Sequence, residues 1–154
     1  MKKLTCAIIL SFCTFSFVKS QDKASHLLLL QTWKLTKFDT YIYTYVKQDV
    51  FDPKSLGLRF KKNGKILGNL NRPGNGNGIL EDFNNRSLQF ERYIGDWKKT
   101  SDSTVTIIFS SNPSMNGNFI ISRLTESELK LKRLFDAATE KKFDSIRRSK
   151  DISY

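Results

Sequence analysis

From about residue 31 onward, apolar and polar residues alternate with a period of two. Val105, Ile107 and Phe109 interleave with Thr104, Thr106, Ile108 and Ser110, and Leu56, Leu58 and Phe60 with Gly57, Arg59 and Lys61. Leu129 and Leu131 alternate with Lys130 and Lys132, and Tyr41, Tyr43 and Tyr45 with Ile42, Thr44 and Val46. Such alternation sets one face of a strand on a core and the other in water. Turn chemistry separates the runs: Asn63-Gly64 suits a tight hairpin, Asn116-Gly117 offers a second turn, and Thr125-Glu126-Ser127 is a short polar stop. The Gly- and Asn-rich stretch 68–78 ends a strand near Leu70.

The pattern predicts eight strands, at about 31–45, 56–61, 65–70, 87–94, 104–110, 118–124, 128–134 and 141–148. A break at Phe38–Thr40 is left open, because Trp33 and Leu35 do not share parity with Phe38. A short C-terminal helix is left open too, since Phe143 and Ile146 lie three apart. Leu27–Leu30 reads as a helical turn or plug ahead of the first strand. Placed up and down in sequence order, the strands put the connections 46–55, 71–86, 111–117 and 135–140 on one rim. The other rim receives 62–64, 95–103 and 125–127. Long loops at one end and tight turns at the other fit an all-β, eight-stranded antiparallel up-and-down barrel with a mouth.

The first twenty residues stand apart. Met1, Lys2 and Lys3 precede an uncharged apolar run, Leu4–Val18, and Val18-Lys19-Ser20 presents small residues where a signal peptidase reads. The expected division is a cleavable signal peptide, 1–20, and one barrel domain, 21–154, with an uncleaved anchor as the alternative. Neither Cys6 nor Cys13 has a lipoprotein setting, and both leave with the signal. The exported domain then has no thiol for a disulfide, metal or nucleophile. The expected product is soluble, in the periplasm or outside the cell, and does not span a membrane. Without Lys2, Lys3 and Lys19 it keeps 23 basic and 15 acidic residues, a formal charge of +8. These charges are scattered, which together with export argues against nucleic acid.

Four segments carry a resemblance. Leu30-Gln31-Thr32-Trp33-Lys34-Leu35 is similar to the first strand of bacterial lipocalin-like domains, where Gly-x-Trp opens a calycin-type barrel, although Gln31 stands at the glycine. Leu58–Lys65 is similar to that family's second strand and turn, Gly95-Asp96-Trp97 with Val105-Thr106-Ile107 to its central hairpin, and Phe119–Leu131 to its late strand, acidic turn and Leu-x-Leu. The resemblance spans about residues 28–148. It implies a calyx that often carries a small apolar ligand, and no conserved chemistry.

Catalysis is not expected. His26 is the one histidine and reads as a solvated or capping residue, no Gly-x-Ser-x-Gly elbow is present, and Gly74, Gly76 and Gly78 do not form a phosphate cradle. No cofactor and no metal site are expected. By parity, Trp33, Leu35, Leu58, Phe60, Leu88, Phe90, Val105, Ile107, Phe109, Phe119, Ile121, Leu129 and Leu131 face inward. Parity also turns Arg92, Arg123, Arg133 and Arg147 inward. The resemblance assigns Arg147, or Arg148 if the register slips, to a structural stack over Trp33 at the closed end. The expected ligand site combines Tyr41, Tyr43, Phe60, Phe90, Phe109 and Phe119 with Arg133. That arginine either meets the acid group of an amphipathic ligand or is turned outward by a bulge. The expected function is binding or carriage of a small apolar or anionic amphipathic molecule. The alternative is a filled barrel whose loops contact a protein partner.

Overall fold

The computed structural model describes residues 26–72 and 90–151. Among them, eight strands run in the order β1 (Thr32–Asp39), β2 (Ile42–Gln48), β3 (Gly57–Phe60), β4 (Lys65–Asn71), β5 (Phe90–Ser101), β6 (Thr104–Phe109), β7 (Gly117–Leu124) and β8 (Glu128–Arg133). Helix α1 (Ala137–Asp151) follows. The strands close into an antiparallel barrel, but not a simple up-and-down one. Strands β3 to β8 form a meander, while β1 lies between β2 and β3, and β2 pairs with β8. Residues 49–56 cross the outer face of β1 to join β2 to β3, held there by Lys34–Asp52 at 3.6 Å and by Asn69, which donates to the carbonyls of Asp52, Pro53 and Ser55.

The long first strand expected at 31–45 is in fact the β1–β2 hairpin. Its two-residue turn, Thr40-Tyr41, puts Thr40 at φ 56°. A bulge at Thr36, between Leu35 and Lys37 in the register, explains why Phe38 loses the parity of Trp33 and Leu35. The expected turns 62–64 and 125–127 are present, with Gly64 at φ 75°. Residues 95–101 are strand rather than loop, so β5 and β6 meet in a tight turn at Asp102-Ser103. Three tight turns, near 61–64, 102–103 and 125–127, lie at the lower end, while the Thr40-Tyr41 turn lies at the upper end. The upper end carries 110–116 and the start of α1. Leu27–Leu30 makes the helical turn 26–29 under the lower end, where Leu29 is fully buried and Leu27 is exposed.

The expected eighth strand at 141–148 is corrected to α1. Asp136 caps it, accepting from the Thr139 N–H at 2.9 Å. Glu140, Phe143, Asp144 and Arg147 then fall on one helical face at i, i+3, i+4 and i+7. That face lies against Tyr41: Phe143 is 5.9 Å from the Tyr41 ring, the Tyr41 hydroxyl donates to Asp144 at 2.5 Å, and Lys132 pairs with Glu140.

This docking has an acid limit. The Tyr41 hydroxyl, and then the Arg147 and Lys132 charges, hold the Asp144 carboxyl below its ordinary range; the Thr139 N–H does the same for Asp136. A carboxyl whose folded pKa is depressed stabilises the fold above its ordinary pKa. It loses that contribution as pH falls through the folded value. The expected result is that α1 undocks as pH drops below about 4, seen as lost helical circular dichroism and new proteolysis near residue 134. Tyr41→Phe raises the Asp144 pKa, so undocking moves to higher pH. A helix signal flat across the acid range in both proteins would refute this.

No helix among the described residues is long and apolar enough to cross a membrane. The barrel faces are apolar inward and lysine-bearing outward, the inverse of a transmembrane barrel.

Candidate functional site at the upper end of the barrel

The interior is densely filled below and looser above. Trp33, Val105, Ile107, Phe109, Phe119, Leu129 and Leu131 have no solvent exposure. Phe60 meets Trp97 edge-on at 5.1 Å near the lower end, and the Trp97 indole donates to the Lys61 carbonyl. The lower half is therefore solid.

The upper end differs because β3 has only four residues and meets β1 only at Thr32, Trp33 and Lys34. Above Gly57, the upper half of β1 has no strand on its β3 side. Leu56 takes the place of one, its carbonyl accepting from the Leu35 N–H at 2.9 Å. Behind this seam lies a cavity of about 20 Å³, lined by Leu35, Phe38, Tyr43, Tyr45, Leu56, Leu58, Leu70 and Met115, with Asn71 and Ser114 at its upper edge. As it stands, such a volume holds about one water. Its walls are almost wholly apolar. Tyr45, 2 % exposed, brings a hydroxyl-bearing side chain to that wall. Burial, and then the neighbouring Tyr43, push the Tyr45 pKa well above its ordinary value, so the hydroxyl keeps its proton.

Residues 110–116 cover the cavity. They include a 3₁₀ turn, Pro113–Met115, whose Met115 is buried. Three side chains fasten this cover. Asn112 donates to the Asn71 carbonyl at 2.9 Å and accepts from the Ser114 N–H; Asn116 accepts from the Phe109 N–H at 2.6 Å. Arg133 donates to the carbonyls of Ser114, at 2.9 Å, and Asn116.

The residues expected to bind a ligand are dispersed. Tyr43, Phe119 and Arg133 do come together: Tyr43 is 6.0 Å from Phe119, and the Arg133 guanidinium stands 6.0 Å over the Phe119 ring. Phe109 lies lower, in the solid interior, and Phe60 lower still. Tyr41 lies under α1, outside the barrel core. Phe90 is corrected to the outer face. It shares parity with Arg92 and with the exposed Ile94, while Tyr93, Gly95 and Trp97 point inward. Leu88 lies outside the described residues.

The arginines are re-sorted as well. Arg92 sits over the Phe51 ring of the outer crossover. The bulge at Ser122 turns Arg123 outward to Glu128 at 3.2 Å. Arg147 is on α1, 3.3 Å from Asp144 and over Tyr41. Trp33 stands at the lower end and donates to the Leu29 carbonyl at 3.1 Å, so the expected Trp33–Arg147 stack is not made. Arg133 keeps its inward parity without a bulge, but the chain's own carbonyls occupy it.

No family model, curated protein or solved structure matches the chain. The closed eight-stranded antiparallel barrel fits a calycin-like fold on geometry alone. Among the described residues no group of three or more His, Cys, Asp or Glu is placed to hold a metal. Tyr45 is absent from the expected site, although the Tyr41-Tyr43-Tyr45 row announced it. The missing signal was depth, since alternation alone does not say how far inside the barrel each tyrosine sits.

Proposed function

We propose that this chain is an exported, lipocalin-like binding protein that takes a small, mostly apolar molecule into the upper end of its barrel. The observation that carries the reading is the apolar cavity under the upper end of the barrel, with Tyr45 on its wall. A hydroxyl on an otherwise apolar wall offers a ligand one polar group that fixes its orientation. The ligand is short, because the interior below Tyr45 is filled, and it carries one hydrogen-bonding group. It reaches its place when Met115 gives way, an unbranched side chain that repacks readily. Arg133 holds the cover shut rather than meeting an acid group. The leader-like segment 1–20 supports export, and no catalytic step is assigned.

The test uses p-cresol as probe and the purified chain, with nuclear magnetic resonance shifts at Leu35, Leu70 and Met115 as readout. Tyr45→Phe is expected to weaken binding by about tenfold, the worth of one hydrogen bond. Met115→Ala, which widens the cavity, is expected to tighten it. Native mass spectrometry of protein from its own host is expected to show a bound small molecule. Absence of p-cresol binding to both the parent and Met115→Ala, with no co-purifying species, would overturn the reading.

A further inference from the structure

The lower end of the barrel carries an open groove of about 500 Å³, lined by His26, Lys62, Trp97, Lys98, Lys99 and Asp102 among others. Three different stretches of chain build it. Lys62 comes from the β3–β4 turn, Trp97 to Asp102 from the end of β5 and its turn, and His26 from the helical turn below. Trp97 ties them together. Its N–H donates to the Gly64 carbonyl at 2.7 Å, its indole donates to the Lys61 carbonyl at 3.0 Å, and the His26 ring stacks on it at 5.4 Å with 26° between planes. The floor of the groove is thus fixed by backbone hydrogen bonds and a ring stack.

Its charge is one-sided. Among the described residues three lysines line it against one carboxylate, Asp102, which is largely exposed and stands 3.8 Å from Lys99. The Lys99 side chain is only 11 % exposed and lines the groove wall beside Trp97. Lys62 and Lys98 make no ion pair among the described residues. Like charges gathered in a concave, partly apolar setting focus a positive field and raise the local concentration of anions. Among the described residues no arginine lines the groove. Lysine ammoniums are compact point charges without a planar fork, so they suit a tetrahedral oxyanion approached from several sides better than a planar carboxylate held bidentately.

We infer that this groove binds a phosphate or sulfate group, presented by His26, Lys62, Lys98 and Lys99 at the end of the barrel opposite the apolar cavity. The same oxyanion can arrive as a free ion or repeated along a polymer, and the groove's open sides leave room for a chain to continue. The site is independent of the cavity ligand, so each can fail without the other.

Titration with inorganic phosphate and sulfate at low ionic strength, followed by the Trp97 indole resonance, is expected to saturate. The double variant Lys62→Gln/Lys98→Gln, at exposed positions, is expected to weaken binding at least tenfold. Lys37→Gln/Lys130→Gln on the β1 and β8 outer face, which removes the same net charge elsewhere, is expected to leave it unchanged. Titration with dextran sulfate distinguishes the sources: a gain of a hundredfold or more per chain assigns a polymer, equal affinity per group a free ion. Equal weakening by both double variants, or identical shifts with chloride, would overturn the inference, because general charge would then explain the binding.

Discussion

Phe109→Ala is expected to lower stability by about 3–5 kcal/mol in chemical denaturation, among the largest losses from any single substitution in this barrel. The ring is fully buried. It lies where two neighbouring strands have no side chains. A Cβ built on Gly68 would stand 2.7 Å from the Phe109 ring, and one on Gly95 would stand 2.7 Å from it and 2.3 Å from the Ile108 carbonyl oxygen. The aromatic volume and the two glycines are therefore one packing unit. This gives the prediction a second arm. Gly68→Ala alone is expected to cost about 1–3 kcal/mol by overpacking, because the ring and Leu70 have to shift. In a Phe109→Ala background most of that cost disappears, since the atoms it strikes are gone. Gly95→Ala keeps its cost in both backgrounds, because the Ile108 backbone stays. A double-mutant cycle by urea denaturation measures the difference. Additive losses for Gly68 and Phe109 would show that the ring does not fill the glycine space.

Arg133→Met is the second large effect. It leaves the stem and removes the guanidinium. The carbonyls of Ser114 and Asn116 lose their charged donor. The expected loss is about 2–3 kcal/mol. The effect is local in a way that a core deletion is not. The Phe109 N–H, which donates to the Asn116 side chain, is expected to exchange faster, while the Leu129 and Leu131 amides on β8 keep their protection. Under the proposed function, the loosened cover also admits p-cresol faster. Unchanged exchange at Phe109 would mean that Asn112 and Asn116 fasten the segment without Arg133.

Much of the architecture is legible in the sequence. Strands β6 and β8 follow their alternation position by position, and Asn63-Gly64 and Thr125–Ser127 turn where they read as turns. The sorting of loops by rim held only in part, because Thr40-Tyr41 turns tightly at the looped end and the connection after β2 leaves from the other. What escaped has particular causes. The β1–β2 hairpin turns at Thr40, a β-branched residue at positive φ, where the common signals are Gly and Asn. On β5, Phe90 and Ile94 are apolar and outward, while one inward position is Gly95, so the more hydrophobic phase is the wrong one. Bulges at Thr36 and Ser122 reverse the parity that carried the arginine assignments. Helix α1 is held by polar contacts as much as by Phe143, and so lacks a strong apolar stripe. At the site, the cluster of Tyr43, Phe119 and Arg133 was foreseen, but the role of Arg133 was not. Nothing in a sequence tells whether a guanidinium meets a ligand or a carbonyl of its own chain.

The position of β1 sets an order of assembly. Strands β3 to β8 are joined by neighbours alone and can zip as a ribbon. The amino-terminal hairpin has to wait, because its outer strand seeks β8, the last to leave the ribosome. Until then the ribbon has two raw borders open to other chains. Only when the first-made segment clasps the last-made one does the tube exist, and a chain cut short before β8 is left with nothing to close it.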